Sequence, residues 1–270
     1  MALLPDLRIG FLLARRARII STSLWLLVAV SGLALMAAQF SGRQPATVAL
    51  DVGISAIRLL LPILIILLSQ ELITREFDRR YFLSSLTYPR PRYQLLIARL
   101  ATILFLVYTL MFVMAIVLAW ITSYILSGYE QSTPVDLGLP YLLTFGFIAT
   151  DLFVITAVAG LLSIVASTSS FVLIGTLGFM MITRSYANII NLLEQRRFLF
   201  DSNTELYQHS LSTLNYFLPN LAAMDIRMAS LYGRIELIPD DWLANLSACL
   251  AYGIALIAFT LLFLQRKRFN

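Results

Sequence analysis

Three ionisable residues stand where such residues are expensive. Arg58, Asp151 and Arg184 each interrupt a long apolar stretch of a 270-residue chain. A charge at bilayer depth is costly, so it faces a bundle interior or a wet cavity and seeks an opposite charge. The spacing therefore predicts that Asp151 pairs with Arg58 or Arg184. Two roles are open for the trio: a substrate path or gate, or a buried ion pair that fixes helix register. Arg184 has the further option of snorkelling to the outer interface.

Other chemistry finds few residues to work with. The chain has one histidine, His209, and one cysteine, Cys249, so neither a His-Glu-x-x-His zinc site nor an internal disulfide can form. Asp240 and Asp241 read as an acidic start to a helix rather than as a cation site. Gly175-Thr176-Leu177-Gly178 lacks the aspartate of an intramembrane aspartyl protease. Of the 20 basic residues only Lys267 is a lysine, and it follows Arg266 at the end of an apolar run. A phosphate-binding loop needs Lys after its glycines, followed by Ser or Thr. This chain therefore has no Walker-type ATP site, and a membrane enzyme is a poor reading of it.

The elements that must position the trio follow from composition. With 59% hydrophobic and 13% charged residues, the chain is far too apolar for one water-soluble core. A spanning helix needs about 20 apolar residues. Six stretches qualify, at 20–40, 52–73, 95–126, 139–166, 171–193 and 243–264. The first is longer than a signal-peptide core and no small-x-small site follows, so it reads as a retained anchor. The fold class expected is an all-α integral membrane protein in one transmembrane domain spanning 1–270.

The arginines orient it. Arg8, Arg15, Arg16 and Arg18 precede the first span, Arg75, Arg79, Arg80, Arg90 and Arg92 follow the second, and Arg266, Lys267 and Arg268 follow the sixth. The short loops on the other side contain only Arg43. The positive-inside rule then makes both termini cytoplasmic. The net charge of +5 marks a membrane face, not a nucleic-acid partner.

Segment 1–19 is expected to be an interfacial helix, with Arg8 and Arg15 on one face. Glu71 stands four before Arg75 and, within the loop 74–94, Glu76 four before Arg80, the favourable order for helix pairs, and the helical run stops at Pro89-Arg90-Pro91. A short charged helix beneath the membrane suits docking of a soluble partner. The outer connection 194–242 is too long for a hairpin and too apolar for a linker. Short helices are expected there, some dipping toward the membrane, and its length would suit a periplasmic partner.

The stretch running from Glu76 through Pro89, Arg92 and Arg99 resembles ABC-2 type permeases, the membrane subunits of many bacterial ABC exporters. Glu76, Pro89, Arg92 and Arg99 stand where that family has a glutamate, a Pro-x-x-Arg and a following basic residue, although Arg80-Tyr81 replaces its usual Gly-Thr. Leu218-Pro219-Asn220 and Tyr232-Gly233 resemble the subgroup containing nitrous-oxide-reductase maturation and gliding permeases. The resemblance implies a homodimer in the bacterial inner membrane with two copies of a cytoplasmic P-loop ATPase, which holds the ATP and Mg that this chain does not. It makes Arg75, Glu76, Asp78, Arg79, Arg80, Pro89 and Arg92 the ATPase-coupling residues, within a coupling helix at 75–86. The turn Ser167-Thr168-Ser169-Ser170 becomes a second contact, 1–19 the connecting helix, and 194–242 re-entrant helices that close the exit. The importer signature Glu-Ala-Ala…Gly is absent, which implies export. Two other functions compete: a scaffold without transport, and a secondary transporter that uses Asp151 as its ion site.

Overall fold

In a computed structural model the chain is described at residues 3–74, 92–128, 131, 135–166, 168–197 and 218–266. Every regular element there is helical. In chain order they are α1 (Leu3–Arg16), α2 (Ile19–Phe40), α3 (Pro45–Ser69), α4 (Arg92–Gly128), α5 (Leu139–Val165), α6 (Ser169–Arg197), α7 (Arg227–Tyr232) and α8 (Trp242–Arg266). A π-turn over Gln70–Thr74 prolongs α3, and 3₁₀ turns at Ala222–Met224 and Ile235–Leu237 flank α7. Among the described residues five helices are long and apolar enough to cross a membrane: α2, α3 with its π-turn, α4, α5 and α8. The stretch expected at 171–193 falls in α6, which is apolar over the shorter segment Ser169–Ser185.

The helices begin where local chemistry permits. α3 starts at Pro45, seven residues before the apolar run itself, because proline suits a first turn, where its missing N–H has no intrahelical partner in any case. The next free donor, the Ala46 N–H, is met by the Gln131 side chain at 3.2 Å, and the same amide donates to Thr47 Oγ1 at 3.1 Å. α5 likewise opens on Leu139-Pro140. Serine and threonine hydroxyls within the spans mostly turn back on the carbonyl four residues earlier, as Thr102, Thr122, Thr144, Thr156 and Ser163 do. That satisfies each polar group inside its own helix, as hydrocarbon surroundings require.

α3 and α5 are the central pair: α2, α4 and α6 pack on α3, and α4, α6 and α8 pack on α5. Membrane helices gain little from hydrophobic exclusion, so close backbone approach and hydrogen bonds hold them together. Gly53 of α3 lets Leu118 of α4 lie where a Cβ would stand. Gly253 of α8 does the same for Phe153 of α5, whose Cε1 would be 2.5 Å from an added Cβ. Tyr108 and Tyr141 lace α4 to α5 by donating to the carbonyls of Ala149 at 3.0 Å and Ala115 at 2.6 Å.

α1 turns its small residues inward. Asp6, Gly10 and Ala14, spaced by four, are buried, with Gly10 against Thr102 and Phe11 edge-on to Phe105 of α4. Arg8 and Arg15 remain on the exposed side. The α1–α2 corner puts Arg18 at φ 56°, the one non-glycine residue with positive φ among those described.

Two outcomes follow for thermal unfolding in detergent. Arg18→Gly relieves the left-handed strain and stabilises by about 0.5–1 kcal/mol, whereas Arg18→Val costs about 1 kcal/mol or more. Gly253→Leu drives α8 from α5 and costs about 2 kcal/mol.

Candidate functional site

Proline 62 creates the first requirement of the site. Lacking an N–H, it leaves the carbonyl four residues earlier, that of Arg58, without its helical donor. Arg184 of α6 supplies one: its Nη1 donates to the Arg58 carbonyl at 2.9 Å. The other arm of the same guanidinium, Nη2, forms a short charge-assisted hydrogen bond with Asp151 Oδ2. One side chain thus repairs a break in α3 and meets a buried charge on α5.

The trio is close at hand because its helices bring it to one depth. Arg58 lies 13 residues into α3, and Asp151 12 residues into α5. At 1.5 Å per residue both are about 20 Å from the helix ends that the arginine pattern places outside. Asp151 is wholly enclosed, and Arg58 Nη2 stands 3.9 Å from its Oδ2. Asp151 therefore has both arginines for partners, not one of them. Arg184 is bonded inside the cluster, which sets aside the snorkelling option.

Four further polar residues join the cluster. Arg58 Nη1 is ion-paired at short range with Asp225, which follows the 3₁₀ turn Ala222–Met224. Asp225 Oδ1 also lies 3.5 Å from Arg227 Nε, at the start of α7. Arg227 Nη1 reaches back to α3, 3.1 Å from Asp51 Oδ1, and donates to Ser55 Oγ. Asp51, Ser55 and Arg58 fall on one face of α3 because they are four and three residues apart. Three carboxylates and three guanidiniums thus form one chain: Asp51, Arg227, Asp225, Arg58, Asp151 and Arg184. Side-chain exposure rises along it, from 0% at Asp151 through 28% at Asp225 to 45% at Asp51. Its inner end is a fixed knot and its outer end meets the surface.

The outer segment is held in place from a second side. The Asp136 N–H donates to the Ser230 carbonyl at 3.1 Å, and the Ser230 hydroxyl donates to the Asp136 carbonyl at 3.2 Å. Asn220 Oδ1 accepts the Ala223 N–H at 3.2 Å, starting the 3₁₀ turn. Gly233, at φ 62°, stops α7. The pairs Leu218-Pro219-Asn220 and Tyr232-Gly233 therefore bracket the short helices that carry Asp225 and Arg227.

At the opposite end of α3, Gln70 of the π-turn donates to the Ser169 carbonyl at 2.9 Å. This sets the start of the π-turn beside the first residue of α6. Of the expected coupling residues, Arg75, Glu76, Asp78, Arg79, Arg80 and Pro89 lie outside the described residues, as does the helix expected at 75–86, and Arg92 opens α4. His209 also lies outside them. Asp240 and Asp241 are exposed just ahead of α8, where negative charge meets the helix dipole favourably. Among the described residues, no group of three His, Cys, Asp or Glu side chains is placed to hold a metal ion.

Asp51, Ser55, Asp225 and Arg227 escaped sequence reasoning. Asp51 and Ser55 had a signal in their spacing from Arg58 on a helix face. Asp225 and Arg227 had none, because the fold of the outer segment decides where they meet α3.

Two measurements of stability follow. Asp151→Ala leaves two arginines short of an anion and costs about 3 kcal/mol, the penalty for breaking a buried pair. In a Pro62→Ala background the helix regains its own donor. Arg184→Met then costs about 1 kcal/mol less than in the natural chain. Equal costs in the two backgrounds would show that the Arg184–carbonyl bond carries no weight.

Comparison with protein families places residues 7–196 on the model described as ABC-2 family transporter protein. The match runs from within α1 to the last turn of α6 and takes in Arg58, Asp151 and Arg184. No curated protein matches the chain. Resemblance in the coupling-loop residues, an all-helical membrane fold and a family match over most of the chain agree: this protein belongs to the ABC-2 family of transporters and is a permease of the ABC-2 type.

Proposed function

We propose that this chain is the six-span permease subunit of an ATP-driven exporter, working as a homodimer in a bacterial inner membrane with both termini in the cytoplasm. A separate cytoplasmic P-loop ATPase, present in two copies, would supply the hydrolysis. The observation that carries this reading is the family match, joined to the Gln70–Ser169 bond, which sets the end of α3 beside the start of α6. The charged cluster sits on the same helix, Arg58 being 12 residues from Gln70.

The mechanism is mechanical. Closure of the ATPases pushes on residues Arg75, Glu76, Asp78, Arg79, Arg80, Pro89 and Arg92. α3 transmits the push as a packed rod. At its outer half it bears on Asp225 and Arg227, so the outer segment loosens or tightens as α3 moves. Arg58, Asp151 and Arg184 are then the gate, with Asp151 as the fixed point. A carboxylate already held by two guanidiniums is a poor seat for a coupling cation, which weighs against the secondary-transporter reading.

The test is purification from the native host in mild detergent, with the accompanying chains identified. A stoichiometric P-loop ATPase is expected, and Glu76→Arg or Arg80→Glu should release it while leaving the permease folded. A chain that retains other partners under gentle conditions but never an ATPase would be a scaffold, and the exporter reading would fall.

A further inference from the structure

A cavity of about 490 Å³ opens where the charged chain nears the surface. Ser55, Arg58, Arg184, Asp225 and Arg227 line it with polar groups, and Leu59 and Met228 line it with exposed apolar ones. Of its charged walls three are arginines and one is an aspartate. The balancing carboxylates stand elsewhere: Asp151 is enclosed behind the arginines, and Asp51 lies on the far side of Arg227. The cavity is therefore cationic although the cluster as a whole is neutral. Arg58 is more than nine-tenths buried, and its Nε, like that of Arg184, finds no hydrogen-bond acceptor among the described residues.

Among the described residues Asp225 is the only carboxylate in that wall, and it differs from the others in its support. Asp51 and Asp151 belong to α3 and α5, whereas Asp225 sits between a three-residue 3₁₀ turn and the six-residue α7. It bridges Arg58 and Arg227 from a short segment that belongs to no spanning helix, although its neighbours Leu221, Met224 and Leu231 are buried in the bundle. The cavity mouth continues into an apolar stripe on α3, where Leu59, Ile63 and Leu67 are exposed at intervals of four. A charged pocket that adjoins an apolar stripe suits a molecule with an acidic head and a hydrocarbon tail.

We propose that this cavity binds the head of an acidic amphiphile, phosphate or carboxylate, between Arg58 and Arg227, and that Asp225 occupies the place in its absence. The incoming anion takes over the arginines from Asp225, and the direct ion pair between Arg58 of α3 and the segment carrying Asp225 is given up. Cargo binding and the loosening of that tie are then one exchange of carboxylate for anion. Calling the amphiphile cargo rests on the permease reading, but its binding is a property of this chain alone.

The experiment uses the full chain purified in mild detergent and titrated separately with dioleoyl phosphatidate, dioleoylglycerol and inorganic phosphate, with retention read by native mass spectrometry. Phosphatidate should bind about tenfold tighter than dioleoylglycerol, a charge-assisted contact being the difference. Asp225→Asn removes the competitor and should tighten phosphatidate by about fivefold, whereas Arg227→Gln should weaken it by about tenfold and Arg227→Lys by much less. Arg234→Gln, an exposed change outside the cavity, should leave binding alone. Melting temperatures of the variants separate lost binding from lost folding.

Equal retention of dioleoylglycerol and phosphatidate would overturn the proposal. So would an Asp225→Asn variant that melts normally and binds no better than the natural chain. Phosphate bound as tightly as phosphatidate would overturn the amphiphile and make the ligand a soluble anion. None of these results depends on an ATPase partner, so this proposal and the exporter reading can fail independently.

Discussion

The carbonyl of Arg58, stripped of its helical donor by Pro62, is the point from which the outer half of this bundle is organised. Hydrocarbon offers it no water, so a donor must come from another helix. Arg184 reaches it and brings a positive charge to the centre of the bundle. That charge requires an anion, and Asp151 is the anion. Asp151 is wholly buried and shares its carboxylate between Arg184 and Arg58. One missing N–H therefore ties α3, α5 and α6 together at one depth.

The remaining charges follow from that knot. Arg58 uses one arm near Asp151 and has a second for Asp225. Asp225 in turn draws Arg227, and Arg227 returns to α3 through Asp51 and Ser55. Replacing a buried ion pair by apolar groups is often neutral for stability, so stability alone does not explain such a chain. A chain that runs from a sealed centre to the surface by way of a short segment is suited to hold its centre still while that segment exchanges partners.

The two ends of α3 give this arrangement its consequence. The inner end lies beside the turn before α6 through Gln70, and the outer half bears the face on which Asp51, Ser55 and Arg58 meet the short outer helices. Close packing makes α3 a poor absorber of displacement: Gly53 admits Leu118 with no room to spare, and α5 covers its other side. On the proposed reading, in which an ATPase acts at one end of α3, such a member carries the push to the other.

Much of this was legible in the chain itself. Apolar runs of spanning length mark the helices, because a bilayer demands about 20 apolar residues in a row. The lone lysine, Lys267, excludes a P-loop of its own, and the arginines divide the loops into two sides. Arg58, Asp151 and Arg184 declared themselves because each breaks an apolar pattern, and residues around Glu76, Pro89 and Arg92 pointed to the family. Tertiary structure alone decided that Asp151 takes both arginines, that Pro62 is the reason Arg184 is needed, and that Asp225 and Arg227 complete the cluster. The physical reason is range. Hydropathy is a local property that each segment carries by itself. The partner of a buried charge is set by helix rotation and by the path of a segment far along the chain, and neither has a signature in a run of neighbouring residues.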